Sequence, residues 1–309
     1  MLTITVSESA AGCRLDLFIA GEIDGLSRSR ARLLVADGRV RVNGHIARKG
    51  SRLRAGDRVQ LEVQEREELA SQSRFDPEPN SELDLQVAYQ DRFLVVVEKP
   101  AGVPCHPLRP TERRTVASAL LARYPEMAGI GSDRREAGLV HRLDTDTSGL
   151  LMAARDPESL VRLRAALKSG GVEKRYRALC AGRIDAPQRI GNWLKSVRGD
   201  RRRVKVVLRA GKRTRPAVTH VLTSEPAGEL SLVQLGLHAA MRHQIRAHLS
   251  WLGHPLAGDR LYGGPDLIGL DRHFLHASEI RLEHPRSSEP LRFSSELPDD
   301  LRQVLARLG

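Results

Sequence analysis

The sequence predicts an α+β chain in two parts, a small basic helix-hairpin module followed by a larger domain of mixed strands and helices. Three observations carry this prediction. A helical pattern and an Asn-Gly turn fall close together near the N-terminus. A polar stretch bearing prolines and net negative charge then intervenes. Beyond it, strand-like and helical segments alternate to the end. With 309 residues, 40% hydrophobic and 28% charged, the chain is long enough for about two domains with cores of ordinary size.

Taken in order, LSRSRARLLVADGRV reads as a helix with Ser27 as N-cap, and Ala31, Leu33, Leu34 and Val35 supply an apolar face. Gly38 should end it. VRVNGHIARKGSRLRAGDRVQLEV reads as two short strands around Asn43-Gly44, with another turn at Gly56-Asp57. A helix and a hairpin of this size form a binding module too small to be an enzyme. Residues 65–84 read as a linker, which sets a module at 1–64 and a larger domain at 85–309. In that domain FLVVVEK is a strand closed by Pro100 and Gly102. HQIRAHLSWLG is a helix stopped by Gly253, and LPDDLRQVLARL is a last amphipathic helix with Pro298 and two acids in its first turn. The sequence contains no internal repeat.

No run of 18 apolar residues occurs, so no transmembrane helix and no membrane partner is expected. The start, MLTITVSESAAGCRLD, lacks the basic and apolar regions of a signal peptide. Cys13, Cys105 and Cys180 are far apart and odd in number, which argues against a disulfide framework or a cysteine zinc site. The expected setting is the reducing cytoplasm, and the expected form a monomer.

Charge says more. Lys plus Arg number 50 against 38 acids, and the pI is near 10.3. Residues 14–58 alone carry eleven basic side chains against five acids, +6 of the total +12. Such an excess is the footprint of a polyanion partner. Arginine far outnumbers lysine, and its planar fork suits phosphates and base faces, although a GC-rich genome would account for part of such a bias. At 4% aromatics, a sheet platform that stacks bases is not expected.

The chemistry-bearing stretch is HRLDTDTSGLLMAARD, residues 141–156. Asp144, Asp146, Ser148 and Gly149 match the opening of a calcium loop, but the position of its bidentate glutamate is Arg155, a cation, which excludes calcium. Asp144-Thr-Asp146 also resembles the nucleophile motif of haloacid-dehalogenase phosphatases. There His141 and Arg142 interrupt the apolar strand such an aspartate should end, and GDRLYGGPD offers Asp259 as a magnesium ligand but places Gly263 where the second carboxylate belongs. The third option is one catalytic carboxylate among positioning neighbours. Asp, Thr and Ser also serve as caps and turn residues, so most of this cluster is expected to be structural.

The same stretch resembles the signature of RluA-type pseudouridine synthases, in which His-Arg-Leu-Asp precedes Thr-Ser-Gly-Leu-Leu. Further motifs agree in order: FLVVVEKPAGVPCHP, EKRYRALCAG, RHQIRAHLSWLGHPLAGDRLYG and LHASEIRLEHP. RLDLFI followed by LSRSRARLLVADGRVRVNG is similar to the small RNA-binding domain named after ribosomal protein S-four. Together these resemblances cover nearly the whole chain outside the linker.

The resemblance implies a mixed sheet with flanking helices and the isomerisation of uridine to pseudouridine in RNA. Asp144 would attack the sugar or the base, or remove a sugar proton. Arg246 would hold Asp144 by an ion pair, and Tyr176 would stack on the uracil and serve proton transfer at carbon 5. The target base must be flipped out of folded RNA, and Arg142 would fill the vacated stack or clamp a phosphate. RNA contacts are further expected at His141, Lys99, Lys174 and Arg242, and in the N-terminal module at Arg28, Arg30, Arg39 and Arg41. The chemistry needs no metal, flavin or nucleotide, and His243, His248 and His254 read as structural residues or RNA contacts. Family members with the extra module often act on large-subunit ribosomal RNA, which is therefore favoured over transfer RNA. One departure stands out: where the family usually shows Thr-Gly-Arg before His-Gln-Ile-Arg, this chain has Ala239-Ala240-Met241, with Arg242 one residue along.

Overall fold

The computed structural model describes residues 2–308 apart from 24, 25, 27, 49, 62–74, 132, 198, 199, 201, 202 and 239, and leaves out the side chains of 28–30 and 33. The chain divides into two compact units. One comprises 1–76 with 133–135, and the other 77–132 with 136–309.

The first unit holds β1 (Leu2–Thr5), α1 (Leu15–Glu22), α2 (Arg28–Ala36), β2 (Val40–Val42), β3 (His45–Ile46) and β4 (Arg58–Leu61). Its strands form an antiparallel sheet in the order β1-β4-β2-β3. Ala31, Leu34 and Val35 of α2 share a core with Leu15, Phe18 and Ile19 of α1 and with Val40 and Val59 of the sheet. Asn43 and Gly44 both have positive φ, the geometry that matches hairpin twist. The Asn43 amide also donates to Asp57 Oδ1 (2.9 Å) and its carbonyl accepts the Arg58 N–H (2.8 Å), so the turn residue staples the hairpin to β4. The expected cap Ser27 and the side chains of Leu33, Arg28 and Arg30 lie outside the described residues.

The second unit contains β5 (Gln86–Gln90), β6 (Leu94–Lys99), α3 (Val116–Arg123), β7 (Ser148–Ala154), α4 (Pro157–Ser169), β8 (Glu173–Ala181), β9 (Gln188–Ser196) and β10 (Val204–Val207). It continues with β11 (Arg215–Ala227), β12 (Leu230–Leu237), α5 (Gln244–Trp251), β13 (Leu275–Glu283), β14 (Pro290–Ser294) and α6 (Asp299–Ala306). The strands make one mixed sheet in the order β10-β9-β11-β12-β8-β13-β7-β6-β5, with β14 added on β13. Only β13 and β7 run parallel among these neighbours. Residues 77–84, which read as linker in the sequence, cluster with this unit, and Leu83 is buried in its core. No helix among the described residues is long and apolar enough to cross a membrane.

The centre of the sheet fixes the site. Every residue of β7, SGLLMAA, is buried, which explains its unbroken apolar pattern. Gly149 has φ +110°, and a Cβ there would stand 2.3 Å from the Ala277 carbonyl oxygen. Only glycine permits the close pairing of Ser148-Gly149 with His276-Ala277. Buried histidines pin the surrounding elements. His276 hydrogen-bonds Ser148 Oγ (3.0 Å), His273 bonds Thr147 Oγ1 (2.8 Å), and His248 bonds Thr219 Oγ1 (2.9 Å). His248 is thus a packing residue and not an RNA contact. Burial pushes the pKa of each down to about 4.

Gly149→Ala is expected to cost about 3 kcal/mol. Gly253→Ala, where φ is also positive but no atom lies within 4 Å, should cost about 1 kcal/mol. Equal losses in denaturant melts would refute the close-approach argument. The histidines also set an acid limit. Their folded pKa lies below the unfolded value, so the unfolded chain takes up protons first as pH falls from about 6.5 toward 4. Each is expected to remove about 2 kcal/mol by pH 5. A melting temperature unchanged between pH 7 and pH 5 would contradict this.

Candidate active site

The aspartate cluster forms a turn leading into β7, closed by the Thr147 N–H donating to the Asp144 carbonyl (3.1 Å). Its main chain is held from beneath. Lys99 Nζ donates to the carbonyls of Thr145 (2.7 Å), Val103 (2.7 Å) and Pro100 (2.8 Å). Arg272 Nη1 donates to the Asp146 carbonyl (3.0 Å), and its Nε donates to Asp300 Oδ2 on α6 (2.7 Å). The Leu143 N–H donates to Cys105 Sγ at 3.3 Å. Held in this way, the turn separates its two carboxylates: Asp146 is exposed, while the Asp144 side chain is only 19% exposed.

Arg246 on α5 donates from Nη1 to Asp144 Oδ2 (3.1 Å), as the resemblance implied. Its remaining fork is taken by Asp259, which in the sequence resembles only a magnesium ligand. Arg246 Nε and Nη2 donate to the two oxygens of Asp259 at 2.7 and 2.8 Å, and Asp259 is buried. The Tyr262 N–H also donates to Asp259 Oδ1 (3.2 Å). Burial works against the charge of Arg246, yet the Asp259 hydrogen bonds and both carboxylates hold its pKa above the ordinary value. His243, with φ 54°, places Nε2 3.7 Å from Asp144 Oδ2 and hydrogen-bonds the Tyr262 hydroxyl through Nδ1 (3.1 Å). Burial lowers its pKa more than Asp144 raises it, so the ring is neutral near pH 7.

Three recesses meet at Asp144. In one, Tyr176, Leu237, Ile245 and Leu275 form walls beside the carboxylate. Tyr176 is buried, and burial together with the Asp144 charge pushes its hydroxyl pKa up, leaving a neutral donor. This slot sets apolar walls beside one carboxylate, one phenol and one guanidinium. Met241 lines the same slot, and its N–H donates to Gln244 Oε1 at 3.0 Å. Ala239 of that stretch lies outside the described residues. Arg242 is exposed and lines the other two recesses. Arg142 is exposed as well, and its Nη1 donates to His106 Nε2 (2.9 Å).

Most of the expected site residues therefore gather in one place: Asp144, Tyr176, Arg246, Arg142, Arg242, His141 and Lys174 all line recesses that reach Asp144. Arg39 and Arg41 are exposed on the N-terminal unit. Lys99 departs from expectation. It is 1% exposed, and its three bonds to carbonyls make it a clamp for the turn and not an RNA contact. Burial lowers its pKa to about 8. His141 is likewise turned inward. Its Nε2 accepts the Met152 N–H (3.3 Å), and burial keeps the ring neutral by holding its pKa well below the usual value. Lys174 is buried on the same strand face as Tyr176, with its pKa lowered by burial to about 8.

Comparison with known proteins agrees with this architecture. Residues 93–251 match the family model described as RNA pseudouridylate synthase, and residues 13–59 match the S4 domain. Ribosomal large subunit pseudouridine synthase D of Vibrio parahaemolyticus is 35% identical over 97% of this chain and 92% of its own. An uncharacterized RNA pseudouridine synthase of Bacillus subtilis is 34% identical over 99% and 98%. Among solved structures, human RNA pseudouridylate synthase domain containing 1 is 26% identical with a TM-score of 0.52, covering 74% of this chain and 97% of its own. Human RNA pseudouridylate synthase domain containing 4, at 24% identity and a TM-score of 0.56, covers 72% and 92% and shares the fold. With residues 13–59 matching the S4 domain, residues 93–251 matching the synthase model, and Asp144, Tyr176 and Arg246 around one recess, the chain belongs to the RNA pseudouridylate synthase family and is a pseudouridine synthase.

Proposed function

We propose that this enzyme isomerises specific uridines of large-subunit ribosomal RNA, with Asp144 as its catalytic carboxylate. One observation carries the catalytic assignment. Asp144 is held by Arg246, itself locked by buried Asp259, at the mouth of the slot that Tyr176 lines. The ribosomal assignment is supported by the name of the Vibrio relative and by the basic S4 unit.

The reaction conserves atoms and electrons. The bond from uracil N1 to the sugar carbon breaks, a bond from C5 to the same carbon forms, the C5 proton is lost and N1 gains one. A carboxylate oriented by Arg246 is competent to attack the sugar or base, or to take a sugar proton. Tyr176, neutral and buried, packs against the detached uracil while it turns and offers its hydroxyl to the proton transfer at C5. Slot walls exclude water that would otherwise trap an activated sugar. A base inside folded RNA must first be flipped out, at a few kcal/mol. Exposed Arg142, beside Asp144, then fills the gap or holds a phosphate. The site of action we infer is the cytoplasm, where ribosomal RNA is made and folded.

Mapping pseudouridines in total RNA from cells with and without the protein tests the target. Loss of sites confined to transfer RNA would overturn the ribosomal assignment. Asp144→Ala should lower turnover, read as tritium release from carbon-5-labelled uridine RNA, by about 10³-fold or more. It should still fold and bind RNA, because Asp259 continues to pair Arg246. Retained turnover would remove Asp144 from the chemistry. Deleting residues 1–64 should weaken RNA affinity and flatten its dependence on salt. A truncated enzyme with the full-length affinity and slope would deny the module a binding role.

A further inference from the structure

Two lysines of the catalytic unit are buried, and they differ in one respect. Lys99 spends its charge on three carbonyl oxygens. Lys174 is 3% exposed, and among the described residues burial alone acts on its charge, with no acceptor or carboxylate to offset it. An ammonium withdrawn from water without a counter-charge is unfavourable. Packing does not require a cation at this position, since a thioether or aliphatic chain of that volume would fill it.

Position suggests what the charge is for. Lys174 stands two residues before Tyr176 on β8, so both side chains leave one face of the strand, separated by about 7 Å. Lys174 lines a recess that also opens on Asp144 and shares Arg142, Leu143 and Met241 with the slot lined by Leu237 and Leu275. Arg164, Lys168, Arg215 and Arg242 line the same recess. The carboxylate of Glu136 there is answered by Arg164 at 2.6 Å, which leaves the other cations in excess. His141 contributes a neutral ring whose buried Nδ1 has no well-formed hydrogen bond, its interaction with the Arg142 backbone being weak. The recess therefore combines a buried, unpartnered cation with a rim of guanidinium and ammonium groups, the surroundings that a phosphate would satisfy.

We propose that this recess is a phosphodiester subsite, in which Lys174 takes a backbone phosphate adjoining the nucleotide whose base enters the slot between Asp144 and Tyr176. The assignment rests on reading that slot as the nucleoside site. Occupied, the subsite fixes one end of the flipped nucleotide, so that the sugar meets Asp144 in register while the base is free to turn. It also ties the charge of Lys174 to the presence of RNA.

The test uses the full chain and Lys174→Met, with Lys174→Arg as the variant that keeps the charge. Affinity for a short uridine-containing RNA oligonucleotide, measured against salt, should fall about tenfold in Lys174→Met, and the logarithmic salt slope should shrink by about 0.7, one single-strand phosphate. Lys174→Arg should keep the slope. Lys174→Met should also melt at or above the wild-type temperature, because a buried charge without a partner is lost. In a second arm, inorganic phosphate replaces chloride at equal ionic strength. It should raise the melting temperature of the wild type more than that of Lys174→Met. An unchanged salt slope, or an equal phosphate shift in both proteins, overturns the subsite. This arm needs neither RNA nor turnover. A wild type that responds to phosphate yet modifies no ribosomal uridine would sink the target assignment and leave the subsite standing.

Discussion

The site depends on one guanidinium shared by two carboxylates. Asp259 is buried and would be intolerable as a lone anion. Arg246 gives it a two-pronged fork and still has Nη1 for Asp144. The arrangement fixes the cation from behind, so that its direction toward Asp144 is set by the protein and not by substrate. It also leaves the triad with one negative charge more than positive. That surplus faces the slot, where RNA brings its own negative charge. A basic chain that attracts RNA at long range thus keeps an anion at the point of reaction.

A second set of contacts acts on the main chain alone. Lys99 at the end of β6 and Arg272 in the loop before β13 grip successive carbonyls of the Asp144–Thr147 turn, and Arg272 passes the connection on to Asp300 of the last helix. His273 and His276 secure the hydroxyls of Thr147 and Ser148 just beyond it. The polar run DTDTS therefore divides its labour. One carboxylate reaches the recess, one points to solvent, and the hydroxyls lock the turn to β13 and its approach.

Much of this was legible in the sequence where the signal is local. The Asn43-Gly44 hairpin, the strand FLVVVEK, the helix before Gly253 and the closing amphipathic helix each follow from a few adjacent residues, and each is present. Asp144 separated from Asp146 because the positions that calcium or magnesium would need hold Arg155 and Gly263. What stayed hidden is long-range. Asp259 looked like a failed metal ligand because nothing in GDRLYG reveals that a helix thirteen residues earlier supplies its partner. Lys99 looked like an RNA contact because lysine is ordinarily a surface residue, and only the fold shows three carbonyls around it. The parallel pairing of β7 with β13 joins residues 128 apart, Ser148 and His276, and leaves no periodicity to read.

The clamp at Lys99 has a consequence for how this loop tolerates change. Its bonds reach backbone oxygens at Pro100, Val103 and Thr145, atoms that every amino acid carries. Side chains at those positions can be exchanged without breaking the grip, provided the backbone path survives. The lysine itself has no such freedom, since a guanidinium is planar and too broad for a cradle built around a point charge. The shape of the reactive turn is thereby insulated from drift in its own letters and entrusted to a residue forty-five positions upstream of Asp144.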